Sequence, residues 1–471
     1  MFKHYFSAVT WLINFIFLFH IAIAMLLLNT VGSLKSIYSS KWILYYFLSI
    51  CIIFLIFYLY KFIIFLVFFD SLFFSSAPSF CLTNFYFSDS IICLSFITSI
   101  ISWIYLSERF MYKAHFFIFY FFIFIICTIN MVTTNNLLIM FVFFEFIFLP
   151  SLFFVYQFAY SKKVDKTINF LLKWTMTGSL LVLLAIIYIY SVYTTLIINK
   201  LSLISFSHYE TFFLFIIIFI GFGIKIPVWP FYYWLTKVHV EAPAGFSIFL
   251  SGFLVKTAFF CLAFFAELLV TKWSLIFAIT ILIWGCVDAS IRMWTCVDIK
   301  KLIAFATIQE MNLIVLFLFF LNSNNYAMLS LFLLVHGVLS SLFFFLVDQI
   351  QKIFGTRSIL SISGSIYYLP TLGALIWGAL LVFRGFPIFV KFFIEWEILS
   401  IFITNYAIFG AIIFALISIF GVLGFSRIWF SVMYGQPQSI NFTKDILRLD
   451  LIVSLFLFTF LFFLSFVIFY F

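Results

Sequence analysis

The chain has 471 residues, of which 66% are hydrophobic and only 9% are charged. A soluble domain carries about 25% charged residues, so the composition excludes a soluble fold and predicts a polytopic membrane protein. The formal net charge of +9 would suit a nucleic-acid partner, but the placement of the basic residues explains it by membrane topology instead. The 78 phenylalanines indicate AT-rich coding, which fits an organellar genome.

Apolar runs of about 20 residues predict an all-α protein with about fourteen transmembrane helices. Residues 22–24 (Ala-Ile-Ala) resemble a signal-peptide cleavage site, but the first run is long enough to span, so we expect a retained first helix. The predicted helices lie near residues 8–28, 43–69, 90–106, 115–129, 136–158, 171–195, 211–236, 244–269, 273–290, 302–321, 327–350, 371–399, 406–425 and 450–470.

The basic residues support this number of helices. With fourteen spans, sixteen lysines and arginines fall in loops on one side, and only Lys3, Lys200 and Lys272 fall on the other. The positive-inside rule then places both termini on the outer face. A missed or an invented helix would scramble this alternation.

The sequence carries no signature of a metal or redox centre. Its seven cysteines form no CxxC pair, and their spacing resembles neither a zinc nor an iron–sulfur site. No histidine pair recurs on a second span, which argues against a haem bundle, and no Walker loop is present. We therefore expect this chain to bind structural phospholipids but no cofactor.

Ionisable residues interrupt the apolar helices. Lys225 and Lys256 lie in two neighbouring apolar segments, and the proline-broken connector between them carries His239 and Glu241. An ammonium at the bilayer centre costs roughly 2.5–3.5 kcal/mol even on the lenient insertion scale, and such residues usually mark an ion or proton pathway.

Further ionisable residues lie near the middle of other predicted helices, namely Glu145, Glu310 and His336. At 1.5 Å per residue, a position about ten residues from either end lies near the bilayer midplane. Together with the two lysines, these groups are placed to form a row parallel to the membrane.

Two predicted helices are interrupted, the seventh by Pro227 and Pro230 and the twelfth by Gly385 and Pro387. A proline breaks the helix, and freed backbone groups at membrane depth must face protein or water. Broken helices five spans apart predict two repeats of inverted orientation, as in many transporters. We expect helices 1–3 over residues 1–114, the first repeat over 115–270, the second over 271–435 and a final helix over 436–471.

Lys225 and Glu145 could work as a switch. Burial disfavours the charged form of a lysine, whereas a nearby carboxylate favours it, so moving the carboxylate away releases the proton. Lys256, His336 and Glu310 would then pass the proton to the second half. The alternatives are a structural ion pair for the lysines, a protonated core glutamate at Glu145, and satisfied core groups at the other positions.

Other polar groups have plainer interpretations. Glu395 is a candidate terminal acid, and the alternative is a structural pair with Arg384 or Lys391. Residues outside the helices are expected to have structural roles, with His239 and Glu241 as caps or loop anchors and Asp298, Lys300 and Lys301 in a solvated loop.

Several segments resemble one family. They are FEFIFLPSLF around Glu145, GFGIKIPVWP around Lys225, LTKVHVEAPAGFSIFLSGFLVK, DIKKLIAFATIQEMNLIVL, VHGVLSSLFFFL and RGFPIFVKFFIEWEIL. Over roughly residues 130–435 the chain resembles the subunit 4 family of mitochondrial NADH dehydrogenase (respiratory complex I). The HVEAP segment ending at Lys256 is the most specific part of this resemblance.

The resemblance implies a proton-pumping subunit of the membrane arm in the mitochondrial inner membrane. It implies neighbouring antiporter-like subunits as partners, with NADH, FMN, iron–sulfur clusters and ubiquinone bound by other subunits. By position it assigns an ion pair to Glu145 and Lys225 and a central lysine to Lys256. It assigns a relay histidine to His336 and a terminal acid to Glu395. Glu310 stands where the family usually has histidine, and Lys391 and Glu397 are additional charges.

Two other functions remain open on the sequence. The first is a stand-alone cation/proton antiporter of the related family, which would work without a redox partner. The second is a structural membrane scaffold without a proton path.

Overall fold

The computed structural model describes residues 49, 51–60, 79–109, 114–158, 164–204, 206–320, 326–436 and 448–468. These residues are almost entirely helical, and their only β pairing is two isolated bridges, Asn136–Ile197 and Asp298–Ser358. The predicted all-α class is confirmed. The predicted span at 8–28 and most of the one at 43–69 lie outside the described residues.

The α-helices of the described part are numbered in chain order. They are α1 Cys51–Tyr60, α2 Ser79–Arg109, α3 Ala114–Thr133, α4 Leu137–Phe158, α5 Val164–Tyr193, α6 Ile198–Leu201, α7 His208–Lys225, α8 Tyr233–Glu241, α9 Ala244–Phe249, α10 Val255–Leu269, α11 Lys272–Thr295, α12 Ile299–Phe320, α13 Tyr326–Phe354, α14 Ser365–Tyr368, α15 Pro370–Phe383, α16 Val390–Tyr434 and α17 Arg448–Ile468. A π-helical turn, Leu250–Leu254, joins α9 to α10.

Eight of the described helical segments are long and apolar enough to cross a membrane, and shorter apolar helices accompany them. Their outer faces expose large apolar side chains, among them Leu184 at 58% and Trp284 at 61%. A water-soluble surface does not carry so many, so these faces are suited to lipid.

Three segments form the buried centre of the bundle. The apolar stretches of Ala244–Leu269, α12 and α13 are completely enclosed by other helices. These segments carry Lys256, Glu310 and His336, so the protein itself, rather than lipid, surrounds those groups.

Side-chain caps fix where two of the spans begin. The Ser207 hydroxyl accepts from the Glu210 amide, and the Glu210 carboxylate accepts from the Ser207 amide, which starts α7. Thr271 and Ser274 make the same reciprocal arrangement at the start of α11. Both boxes satisfy amide groups that the first helical turn leaves without partners.

Both predicted interruptions are present. The span expected at 211–236 is two helices, α7 and α8, separated at residues 226–232. The span expected at 371–399 is likewise divided between α15 and α16. Gly385, between them, has a φ of +65°, a conformation that side chains with a Cβ rarely adopt.

The helix α16 includes both the end of predicted helix 12 and all of predicted helix 13. A straight helix of its 45 residues would be about 68 Å long, and Lys391 and Ile417 would lie about 39 Å apart. However, Lys391 contacts Glu310, while the neighbouring Gln309 donates to the Ile417 carbonyl at 3.1 Å. The helix α16 is therefore sharply bent between Lys391 and Ile417.

Each isolated bridge joins two positions that the sequence places on the same side of the membrane. Ile197 lies in a loop predicted to be outside and Asn136 at the outer end of the predicted helix 136–158, whereas Asp298 and Ser358 lie in loops predicted to be inside. Arg357, also predicted to be inside, donates to the carbonyl of Val240 in the connector at 3.0 Å. These contacts agree with the predicted alternation of spans.

Candidate functional site

Glu145 and Lys225 form the predicted ion pair. The Lys225 Nζ lies 2.5 Å from the Glu145 Oε1, with the lysine side chain fully buried and the glutamate 26% exposed. The ammonium also lies 4.1 Å from the ring centre of Phe144 and 4.5 Å from that of Phe148. The carboxylate and the two aromatic faces compensate the cation for its lost hydration.

The break in the seventh span places Lys225 at a helix end. Lys225 is the last residue of α7, and the Trp234 indole of α8 donates to the Ile224 carbonyl at 2.7 Å. That bond satisfies a carbonyl that the end of α7 leaves without an intrahelical partner. The break is therefore fixed by side-chain packing and lies directly beside the ion pair.

Lys256 lies at the start of α10, just after the π-helical turn. Its Nζ donates to the Ser251 carbonyl within that turn, and its side chain is fully buried. A π-turn loosens the regular i−4 bonding pattern, and such turns frequently occur at functional sites. The local backbone thus supplies an acceptor for this ammonium.

Two glycines bring the Lys256 helix against the His336 helix. A Cβ at Gly252 would lie 2.6 Å from the Ser341 hydroxyl, and a Cβ at Gly337 would lie 2.9 Å from the Gly252 carbonyl. Small residues allow membrane helices to approach this closely. As a result, Lys256 lies within electrostatic range of His336.

Glu310 lies at the centre of the second group. Its Oε2 lies 3.0 Å from the His336 Nδ1, and its Oε1 forms an ion pair with Lys391. All three side chains are buried, and Lys256 is also within electrostatic range of this carboxylate. The single carboxylate therefore connects three helices, α12, α13 and α16.

Lys391 extends this group to Glu395. Its Nζ lies 3.7 Å from the Glu395 Oε1 and donates to the Phe383 carbonyl at 2.6 Å. Of the two pairings considered for Glu395, the structure shows the one with Lys391, while Arg384 lies against the Phe430 ring at 4.8 Å. Glu395, rather than Glu397, is thus the acid joined to the row.

The six predicted residues therefore form two groups. Glu145 and Lys225 are one. In the other, Lys391 joins Glu395 to the His336–Glu310 contact, and Lys256 lies within electrostatic range of Glu310 and His336. Cys261, five residues after Lys256 on α10, is within electrostatic range of Lys225. Within the described residues, no hydrogen bond or ion pair joins Lys225 to Lys256.

The expectation of a solvated loop at residues 298–301 is wrong for Lys300. The Lys300 side chain is buried, and its ammonium donates to the Ala242 carbonyl at 2.5 Å. Asp298 pairs with Arg357 at 3.4 Å. The loop folds onto the C-terminal end of α8, where cations satisfy exposed carbonyls and oppose the negative end of the helix dipole.

His239 is neither a cap nor a loop anchor. It lies within α8, fully buried, with its ring stacked on that of Phe344 at 4.6 Å. Neither ring nitrogen has a hydrogen-bond partner among the described residues. Its side chain lies within electrostatic range of Lys256 and Lys300.

Sequence reasoning missed Asp288. This carboxylate accepts from the Tyr232 hydroxyl and pairs with Arg292 at 3.0 Å, while Arg292 also donates to the Tyr233 hydroxyl at 3.2 Å. The i,i+4 spacing of Asp288 and Arg292 on a predicted helix was the available signal. These contacts join α11 to the start of α8, beside the break.

The chemistry open to this arrangement is proton transfer. Groups that accept and release protons follow one another through the buried centre of the bundle. Within the described residues no group of three or more histidine, cysteine or acidic side chains is arranged to hold a metal ion.

Comparisons with known proteins identify the family of this chain. Residues 134–421 match the family model described as NADH:quinone oxidoreductase/Mrp antiporter, transmembrane. The NADH-ubiquinone oxidoreductase chain 4 of Paramecium tetraurelia is 35% identical over 335 residues, which cover 71% of this chain and 70% of that protein.

Solved structures share the fold at lower identity. A chain of respiratory complex I from Thermus thermophilus superposes with a TM-score of 0.71 and 20% identity, covering 81% of this chain and 80% of that one. A chain of the Mrp complex from Dietzia sp. gives a TM-score of 0.76 and 15% identity, covering 90% and 81%. With more than half of its length matched by the family model, the chain belongs to the NADH:quinone oxidoreductase/Mrp antiporter transmembrane family.

Proposed function

We propose that this chain is a proton-translocating membrane-arm subunit of NADH:ubiquinone oxidoreductase. The observation that carries the proposal is the row of contacting ionisable groups from His336 through Glu310 and Lys391 to Glu395, with the buried Lys256 within electrostatic range of it. Intramembrane ionisable residues are costly, and chains of them are typical of proton pathways. The similarity to chain 4 of the Paramecium enzyme supports this complex as the setting.

The Glu145–Lys225 pair is the proposed point where energy enters the subunit. A conformational or electrostatic change elsewhere in the complex separates the carboxylate from the ammonium, which leaves the buried lysine without its stabilising charge. Lys225 then releases its proton towards Lys256, and His336 and Glu310 pass a proton on to Glu395. A tenfold change in a proton-binding constant corresponds to about 1.4 kcal/mol, so a change of several pKa units in the lysine is on the scale of the work that pumping needs.

Electron transfer is proposed to occur in other subunits. The NADH, FMN, iron–sulfur clusters and ubiquinone would be bound there, and this chain would contribute the proton path together with neighbouring antiporter-like subunits. The relatives named as chain 4 of the ubiquinone-linked enzyme support the inner mitochondrial membrane as the location. The exposed apolar faces leave room for bilayer lipids and for those neighbours.

The decisive experiment replaces the pair in the assembled complex. Lys225→Ala or Glu145→Ala should leave assembly on native gels intact but remove this subunit's share of protons moved per NADH oxidised in sealed vesicles. Lys237→Ala is the matched control, because Lys237 is a lysine on α8 whose ammonium rests on the Phe170 ring at 4.1 Å, outside the row. Full proton stoichiometry in either pair variant would refute the proposal.

A stand-alone cation/proton antiporter is the second candidate, because the fold superposes on a chain of the Mrp complex. Purification of the protein distinguishes the two functions. A chain that migrates with NADH dehydrogenase activity on a native gel supports the membrane-arm subunit. A chain that migrates alone, and exchanges sodium or potassium for protons in vesicles, supports the antiporter.

A further inference from the structure

We propose that Lys391 carries the pumped proton between the His336–Glu310 contact and Glu395, and that Glu310 and Lys391 form a second switching pair equivalent to Glu145 and Lys225. The inference rests on the proposed function, and assigns a role to a residue whose partner is not apparent from the sequence. It changes the proton path from one switch followed by a passive relay to two similar switches.

The two pairs occupy equivalent places in the chain. Glu145 precedes Lys225 by 80 residues, and Glu310 precedes Lys391 by 81. Each glutamate lies inside a helix of 22 residues, α4 or α12. Each lysine borders the break of an interrupted span, as the last residue of α7 or the second of α16.

The two lysines also have matching surroundings. The Lys391 ammonium lies 4.1 Å from the ring centre of Phe383, as the Lys225 ammonium lies 4.1 Å from that of Phe144. Both lysine side chains are at most 3% exposed. A carboxylate and an aromatic face therefore stabilise each cation where a helix is broken.

Glu310 differs from Glu145 in having a second partner. One carboxylate oxygen contacts Lys391 and the other contacts His336, whereas Lys391 also reaches towards Glu395 at 3.7 Å. Among the described residues, Lys391 is thus the side chain that forms an ion pair with both Glu310 and Glu395. A proton leaving His336 for Glu395 has to pass the amine.

The transfer balances in two steps. The Lys391 ammonium gives one N–H proton to the Glu395 carboxylate, leaving a neutral amine and a carboxylic acid. The His336 imidazolium then returns a proton to that amine by way of the Glu310 carboxylate, which accepts one proton and donates one. The net result is one proton moved from the imidazole to Glu395, with Lys391 and Glu310 restored.

Lys391→Arg separates this role from a merely structural one. A guanidinium keeps the positive charge and can pair with Glu310, but it does not release its proton in proteins. We expect the variant complex to assemble and oxidise NADH, with the protons moved per NADH reduced to the value measured for Lys225→Ala. A structural counter-ion would instead be replaced by arginine with normal pumping, which would overturn the inference.

Two further variants make the test independent of how well arginine fits. Glu310→Gln with Lys391→Gln leaves a neutral hydrogen-bonding pair without a buried lone charge, and it should also lose this subunit's pumping; normal pumping would overturn the inference. Lys352→Arg is the matched control, because Lys352 pairs with Asp450 at 3.4 Å outside the row. It should pump normally.

The outcomes distinguish this inference from the proposed function. If Lys225→Ala stops pumping and Lys391→Arg does not, the subunit pumps but Lys391 is only a counter-ion. If neither variant changes the proton stoichiometry, the proposed function itself fails.

Discussion

Single side chains in this protein are stabilised mainly by partners distant in sequence. Lys225 depends on Glu145, and Lys391 depends on Glu310, with each pair bridging about half of one predicted repeat. Removing one member of a buried ion pair strands the other charge, which costs more than removing both members. This asymmetry gives a test of the pairs that does not depend on pumping.

We expect Glu310→Gln to lower the melting temperature of the assembled complex more than the double variant Glu310→Gln, Lys391→Gln. The single change leaves a buried ammonium without its carboxylate, at a cost of about 3–5 kcal/mol, whereas the double change removes both charges. Thermal denaturation of the purified complex measures the difference. A loss in the double variant equal to the sum of the losses in Glu310→Gln and Lys391→Gln alone would show that the two side chains do not interact.

Lys300 gives a second prediction at this scale. Lys300→Met keeps the apolar stem but leaves the buried Ala242 carbonyl without its donor, at a cost of about 1–3 kcal/mol. Thermal denaturation of the complex should show a clear loss of stability. Lys301→Met, at the exposed neighbouring residue, is the control and should change the melting temperature little. Equal stability of the two variants would contradict the stabilising role of the Lys300–Ala242 hydrogen bond.

At the scale of helices, the contact between Ala244–Leu269 and α13 sets the distance from Lys256 to His336. The contact relies on Gly252 and Gly337, where any side chain meets the opposite backbone or its neighbours. The two helices can approach this closely because both positions are glycines, as is common between membrane helices.

Gly337→Ala should force these helices apart. The added Cβ would lie 2.5 Å from the Leu94 Cδ2 and 2.9 Å from the Gly252 carbonyl, and overpacking of this kind costs roughly 1–3 kcal/mol. We expect fewer protons per NADH together with a lower melting temperature. Gly223→Ala is the control, because its Cβ would meet only Val228 at an ordinary 3.5 Å; a similar loss there would count against the packing explanation.

At the scale of the whole molecule, the sequence determines most of the architecture. Long apolar runs predict the spans because the bilayer imposes a common length, and the prolines and Gly385 locate both breaks. The residues of the row are predictable because a charge inside a span is conspicuous. Glu145 and Lys225 are also paired as expected.

What could not be predicted depends on contacts between distant segments. The partner of Lys391 is one of several acids along the chain, and only packing selects Glu310. Lys300 has the composition of a loop residue, yet the fold buries it against α8. Asp288 escaped notice because it lies near a helix end, where a charge is unremarkable, although its neighbours make it part of the α8–α11 junction.

The topology predicts which residues can be labelled from each side of the membrane. The helix α11 has Lys272 at one end, and Lys301 begins the next span beyond its other end, so single cysteines there should react from opposite sides with a membrane-impermeant maleimide. Most of the described natural cysteines are buried, which keeps the background low. Labelling of both sites from the same side would contradict the predicted alternation.

The arrangement around Glu310 also limits how much charge the second group can hold. With Lys256 and Lys391 cationic, Glu310 and Glu395 anionic and His336 neutral, the net charge of the five side chains is zero. One additional proton gives them a net charge of +1. A second additional proton would place two uncompensated positive charges close together in the low-dielectric interior, where their repulsion is strong. Electrostatic repulsion thus favours one additional proton at a time in this group, so each proton must leave before the next one binds.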